Sequence, residues 1–146
     1  MRGMRGSEPL SDKSSFLNIS PSFLAVLAGL IDGDGYISIT RSSTGYIAII
    51  LSISLDIRDQ LMLKDIQTTL GFGRLTGPFY NTDGTITVKL VFSRTELQEL
   101  LFPLFIYHGI FFLTDTRRAQ YQLALYVFFS GITKFSLIPS VIPATP

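Results

Sequence analysis

Two aspartates one residue apart, Asp32 and Asp34, stand among glycines at the end of an uncharged run, in the stretch LAGLIDGDGYISI from Leu27 to Ile39. Every residue from Phe23 to Ile31 is apolar or glycine. Carboxylates in such a place suggest ion binding: they are hard oxygen donors, which select Mg²⁺ or a similar ion. Paired divalent sites suit phosphodiester hydrolysis, because the metals activate water and stabilise the leaving oxygen. A calcium loop is the other acidic reading, but the spacing D-x-D-x-Y lacks the third ligand and the distal glutamate. The single histidine, His108, lies in a hydrophobic stretch and reads as a packed or surface residue, not a base.

The element carrying the aspartates must be a helix. Ser20 is a cap and Pro21 suits the first helical position. The helix is expected to run to about Asp32, with Gly33 and Gly35 ending it. It is apolar all round and so must be buried all round. Ala25 and Gly29 are four apart, with Ala28 beside them. That small-xxx-small pattern lets two helix backbones approach closely. Two copies of this helix would bury each other and bring two Asp34 carboxylates together. Helix C-termini also gather free carbonyls and the negative end of the dipole. A cation between the copies removes the repulsion.

The remaining chain alternates between strand and helix periods. Strands are expected over 36–42, 46–55, 73–76 and 85–92. In the second, Ile47, Ile49, Leu51, Ile53 and Leu55 share one side; in the fourth, Ile86, Val88, Leu90 and Phe92 point inward. A helix over 57–70 uses Leu61, Leu63, Ile66 and Leu70 and stops at Gly71. A third helix over 94–105 ends near Pro103, and a last one covers 116–129. The order is α+β: an antiparallel four-stranded sheet with helices on one face. The other face carries Ser38, Thr40, Ser42, Arg74, Thr76, Thr85, Thr87 and Lys89, with Arg41 alongside. Hydroxyls and cations fit the reading of DNA base edges and phosphates, and they also fit an ordinary solvated face. We expect a flexible arm over 1–19, one domain over 20–132, and a Pro-punctuated tail or linker over 133–146 that forms no helix.

Composition narrows the partners. Twelve basic and eleven acidic residues leave a net charge of +1, a weak electrostatic footprint for a nucleic-acid binder unless charge is segregated to one face. Without cysteine, neither disulfides nor thiolate metal sites are available. Apolar residues make up 47%, including 12 Phe and 6 Tyr, high for a soluble monomer. The surplus calls for a membrane or a partner. No run reaches the roughly 20 apolar residues a spanning helix needs, since Asp32, Pro103, His108 and Gly109 interrupt the longest ones. The first fifteen residues have no apolar core and are no secretory signal. A protein partner is expected, and no membrane.

LAGLIDGDG, Leu27 to Gly35, resembles the motif of the LAGLIDADG homing endonucleases, with Gly33 in place of the alanine. IRDQLMLKDIQTTLGFGRL, Ile57 to Leu75, is similar to the family's second helix and the G-x-G start of its next strand; FFLTDTRRAQY, Phe111 to Tyr121, is similar to the LT-x-x-R start of its final helix. The resemblance covers roughly residues 20 to 132 and implies the αββαββα LAGLIDADG homing endonuclease fold. It implies a site-specific endonuclease cutting a long, near-palindromic double-stranded DNA with Mg²⁺ or Mn²⁺, Ca²⁺ being a non-cleaving substitute, and leaving short 3′ overhangs. Asp34 would bind metal, with Gly33 offering its carbonyl; Asp32 would be more structural than catalytic. Arg117 would be the catalytic basic residue, steadying the transition-state charge or a metal-bound water. Its place in a first helical turn, mildly unfavourable for a cation, also points to a use. At the end of the second strand, where the family often has a polar residue, the chain reads Leu55-Asp56. One motif per chain implies a homodimer, with Ala25, Ala28 and Gly29 at the interface, or a second LAGLIDADG half. An RNA maturase aiding intron splicing is the alternative; the retained Asp34 speaks for cleavage. Mitochondrion or chloroplast is the implied compartment.

Overall fold

The computed structural model describes residues 18–139. The expected N-terminal arm, apart from its last two residues, and the end of the tail lie outside them.

Helix α1 (Pro21–Asp34) starts where Ser20 Oγ accepts the Ser22 and Phe23 N–H groups. It runs two residues further than expected, so Gly33 is helical and does not end the helix. Gly35 is the stop, in extended backbone at φ −97°. A β-carbon on Gly35 would sit 2.8 Å from both the Ile31 Cα and the Ile31 oxygen, so close approach, not a left-handed turn, requires glycine there.

Strands β1 (Gly35–Arg41), β2 (Ile47–Asp56), β3 (Arg74–Tyr80) and β4 (Ile86–Phe92) form one antiparallel sheet in the order β1-β2-β4-β3. Pairing sets Ile37 opposite Leu51 and Ile53 opposite Leu90. All four are buried, and with Ile49, Val88 and Phe92 they form the inner face. Strand β3 outruns its expected end at Thr76: a bulge at Gly77 and Pro78 lets the ladder resume at Phe79 opposite Thr87.

A 3₁₀ turn (Ile57–Asp59) leads into α2 (Gln60–Leu70), which Gly71 closes in the left-handed region at φ 84°. Leu63, Ile66 and Leu70 enter the core, whereas Leu61 is 72% exposed. Helix α3 (Arg94–Glu96) opens with a reciprocal cap between Ser93 and Glu96. It runs on through a π-helical turn (Leu97–Leu101) into α4 (Phe102–Tyr107). Pro103 therefore does not end the helix. In the wider turn the Phe102 N–H reaches back to the Leu97 oxygen, and the ring, lacking an N–H, sits just after the register has shifted. Helix α5 (Asp115–Ser130) is capped by Thr114 and closed by Gly131. Phe102 and Phe112 meet the buried Tyr121 edge-on, with ring centroids 4.8 and 5.0 Å away. Burial pushes the Tyr121 hydroxyl up to about 12.

The helices cover one face of the sheet, and the other is open. The tail does contain one helical piece, a 3₁₀ turn (Phe135–Leu137). Thr133 and Phe135 hydrogen-bond the backbone of Ile47 and Gly45, which straps this segment to the start of β2. No helix among the described residues is long and apolar enough to cross a membrane.

Candidate functional site at the end of the motif helix

Helix α1 is not buried all round. Leu24, Leu27, Ala28 and Ile31 enter the core, while Ala25, Gly29 and Gly33 are exposed and Val26 is 73% exposed. Ala28 faces this chain's own core at 3% exposure, which removes it from the expected interface. Its position, one residue before Gly29, turns it about 100° away around the helix. Asp34 ends the helix, exposed.

Two side chains lock the turn that presents Asp34. Arg117 is 9% exposed. Its Nε donates to the Ile31 oxygen at 2.9 Å, its Nη2 to the Asp32 oxygen at 3.2 Å and its Nη1 to Gln120 Oε1 at 2.8 Å. The guanidinium thus sits on the carbonyl end of α1, where a cation meets the negative end of the dipole; it shares the Ile31 oxygen with the Gly35 N–H and supplies a donor to the Asp32 oxygen. Three of its five N–H donors are engaged within the chain, on two backbone carbonyls and a side-chain amide, so Arg117 holds the acidic turn from inside. Its neighbour Arg118 pairs with Asp115 in the same first turn, which offsets the second cation.

Asp32 ties α1 to α5. Its Oδ2 accepts the Leu113 N–H at 2.8 Å, and its Oδ1 accepts the Thr114 hydroxyl at 2.8 Å and the Thr114 N–H at 3.1 Å. Burial pushes this carboxyl up, but the Leu113 and Thr114 donors and the nearby Arg117 charge outweigh it and hold the group below the usual carboxylate range. A depressed folded value means that the stabilisation is present above the unfolded value near ~3.9 and fades as pH falls through the folded one. Asp32→Asn puts an amide donor against these N–H groups and should cost about 1–3 kcal/mol at pH 7. Thermal melts should show that gap narrowing between pH 5 and pH 2, where wild-type Asp32 also becomes protonated. A gap constant with pH would mean that the charge plays no part.

The outer face of the sheet is assembled by register. Ser38 and Thr40 stand across from Ile50 and Ala48, Lys89 lies between Ser54 and Thr76, and Arg74 pairs with Val91. Thr87 lies between Asp56 and Phe79 on the same face. The Lys89 ammonium is 5.2 Å from the centre of the Phe79 ring. Three expected members are placed elsewhere. Arg41 pairs with the buried Ile47, so it alternates to the inner side at the exposed end of β1. The Ser42 hydroxyl accepts the Tyr46 N–H inside the first hairpin turn. Thr85 precedes β4, its hydroxyl donating to Asp83 in the second turn. Asp56 is occupied locally, accepting the backbone and Nε donors of Arg58. The sequence reading passed over Gln120, whose Oε1 accepts from both Arg117 and the Ile37 N–H. It also passed over Tyr36, Ile50, Ser52 and Ser54 on the outer face, which the strand alternation that marked their inward neighbours would have found.

Solved structures share this architecture. A mutant of I-SmaMI matches with TM-score 0.55 and 18% identity over 70% of this chain, which spans 35% of that one. The homing endonuclease I-CvuI, in complex with its target in the presence of calcium, gives 0.56 and 23% over 75% of this chain and 67% of that one. The LAGLIDADG meganuclease I-AabMI, bound to uncleaved DNA, gives 0.59 and 22% over 76% of this chain and 36% of that one. At these identities the likeness carries the fold, and the chain spans little more than a third of the length of I-SmaMI and I-AabMI. A family model described as LAGLIDADG endonuclease matches residues 27–127, from the motif through the whole sheet into α5, and the chain belongs to that family.

Proposed function

We propose that this chain is one subunit of a site-specific, metal-dependent DNA endonuclease in which two copies pair through α1 and bring two Asp34 carboxylates together. The observation that carries this reading is the pair of helical glycines on the exposed side of α1. A β-carbon at Gly29 or Gly33 would meet nothing within 4 Å, so the chain itself has no steric need for either. Each glycine inside a helix costs about 0.5–1 kcal/mol relative to alanine. A second helix packed closely against this stripe supplies the missing reason, and it would also cover Val26.

One chain is short of a metal site. Among the described residues, no three His, Cys, Asp or Glu side chains come together. Asp34 and the Gly33 carbonyl are hard oxygen donors that fit Mg²⁺ or Mn²⁺ in kind, and a second copy doubles their number. The likeness to I-CvuI, whose DNA complexes include one with calcium and one with magnesium, supports a divalent ion. When bound, the ion would activate water and stabilise the leaving oxygen. The protein's own part is to hold Asp34 at the dimer axis through Arg117 and Asp32, and to hold duplex DNA on the open sheet face through Arg74, Lys89 and the hydroxyls of Ser38, Thr40, Thr76 and Thr87.

The test is a cleavage selection on a randomised double-stranded DNA library, with Mg²⁺ and with EDTA, run beside a solution-mass measurement. Recovered cut sites should share a near-palindrome, EDTA should abolish cutting, and the mass should be that of a dimer. Gly29→Leu has room within its own subunit and replaces a poor helix former by a good one, so the fold should hold. It should nonetheless give monomers and lose at least about 10²-fold in cleavage, since each monomer carries half a site. A Gly29→Leu dimer with wild-type activity would place the interface elsewhere. A wild type that cuts no DNA but binds structured intron RNA tightly would replace the endonuclease by a maturase.

A further inference from the structure

On the outer face, the fold leaves one large aliphatic side chain open beside the hydroxyls of Ser38 and Ser52. Ile50 is 44% exposed. The pairing of β2 with β4 begins at Leu51, so no β4 residue stands beside it. Its direct partner on β1 is Ser38. Tyr36, 55% exposed, is its diagonal neighbour on that strand. Lone exposed apolar residues need no explanation. This one is fixed within a strand, across from a hydroxyl, on the face that the proposed function gives to duplex DNA, whose major groove is the one that presents a distinct edge for each base pair.

We infer that the Ser38–Ile50 pair is a thymine reader, an assignment that rests on the sheet being the DNA face. Directly opposed residues place their Cβ atoms about 5 Å apart on one face. The pair therefore offers a hydroxyl donor and an apolar surface side by side. Thymine is the only base whose major-groove edge sets an acceptor, O4, next to an apolar group, the C5-methyl. Ser38 Oγ donates to O4 and Ile50 covers the methyl. Cytosine presents an amino donor and no methyl at those places, so it leaves the isoleucine facing water.

The probe is the duplex recovered by the wild type from the randomised library, with each thymine replaced in turn by deoxyuridine, which removes only the methyl. Binding is measured in Ca²⁺. One position, the same in each half-site, should lose about fourfold in affinity, the ~0.8 kcal/mol of one buried methyl at 1.4 kcal/mol per tenfold. Ile50→Ala should bind the thymine duplex more weakly and become indifferent to deoxyuridine at that position alone. Far-ultraviolet circular dichroism and the melt should match the wild type, since Ile50 lies outside the core. Selective binding by a wild type insensitive to every deoxyuridine would overturn the assignment and leave the DNA face standing. So would an Ile50→Ala variant that keeps full sensitivity. A wild type that selects no duplex at all overturns both.

Discussion

Asp34→Asn should abolish Mg²⁺-dependent cleavage while leaving DNA binding intact. The substitution keeps the shape of the side chain at the end of α1 and removes its charge, so the helix, its packing and the locking contacts of Arg117 and Asp32 persist. A neutral amide is a far weaker ligand for a hard divalent ion than a carboxylate. Stabilisation of developing charge by such an ion is worth several kcal/mol, so the rate should fall at least about 10³-fold. In the paired assembly, two Asp34 carboxylates without a cation repel each other. The variant dimer should therefore be as stable as the wild type or slightly more so in EDTA. The measurements are cleavage of the selected duplex in Mg²⁺, binding to it in Ca²⁺, and dimer dissociation in EDTA. Cutting at the wild-type rate would take the metal role away from Asp34.

Arg117→Met should lower the melting temperature by about 10 °C. Methionine keeps much of the buried length, but the Asp32 carbonyl loses its Arg117 donor, and the Ile31 oxygen and Gln120 Oε1 are left with the Gly35 and Ile37 N–H groups alone. A hydrogen bond to a charged group is worth about 1.5–3 kcal/mol, and three are lost here. Partial relaxation and water access bring the expected total to about 3 kcal/mol, which for a chain of this length is roughly that shift in Tm. Arg117→Lys should recover only part of it, because one ammonium cannot span the carbonyls that the planar guanidinium bridges. Cleavage by both variants should fall in step with the loss of order at the end of α1, and hydrogen exchange at Asp34 and Gly35 should report that loss. An Arg117→Met variant with an unchanged melt and a lost rate would return Arg117 to the transition state.

What could be read from the sequence was whatever depends on short-range spacing. The Ser20 cap with Pro21, the αL glycine at Gly71, and the period-two runs in β2 and β4 each encode a local structure through sterics and hydrogen bonding over a few residues. The nine-residue motif carried the family. Local patterns were also where it failed. Pro103 marks a helix end by its own chemistry, and only the π-helical turn before it, in which Leu97, Leu101 and Phe102 are buried, carries the helix through. Leu61 fits the helical period of α2, yet the turn it sits on faces solvent.

The roles of the charged residues were decided by tertiary structure. Arg117 and Asp32 are 85 positions apart in sequence, and the Arg117 Nη2–Asp32 O bond exists only because α5 packs its first turn against the end of α1. No spacing rule reports that a guanidinium will hold backbone carbonyls at the end of another helix. The same holds for the outer face. Composition identified hydroxyls and cations, but antiparallel register decided that Ile50 stands across from Ser38, that Arg41 alternates away, and that Thr85 closes a turn. By itself the sequence determined the elements, the family and the acid at the end of the motif helix, because those follow from neighbours along the chain. Which side of α1 stays open, and which residues hold Asp34 in place, were decided by long-range packing, because burial and hydrogen-bond satisfaction are settled only once the helices meet.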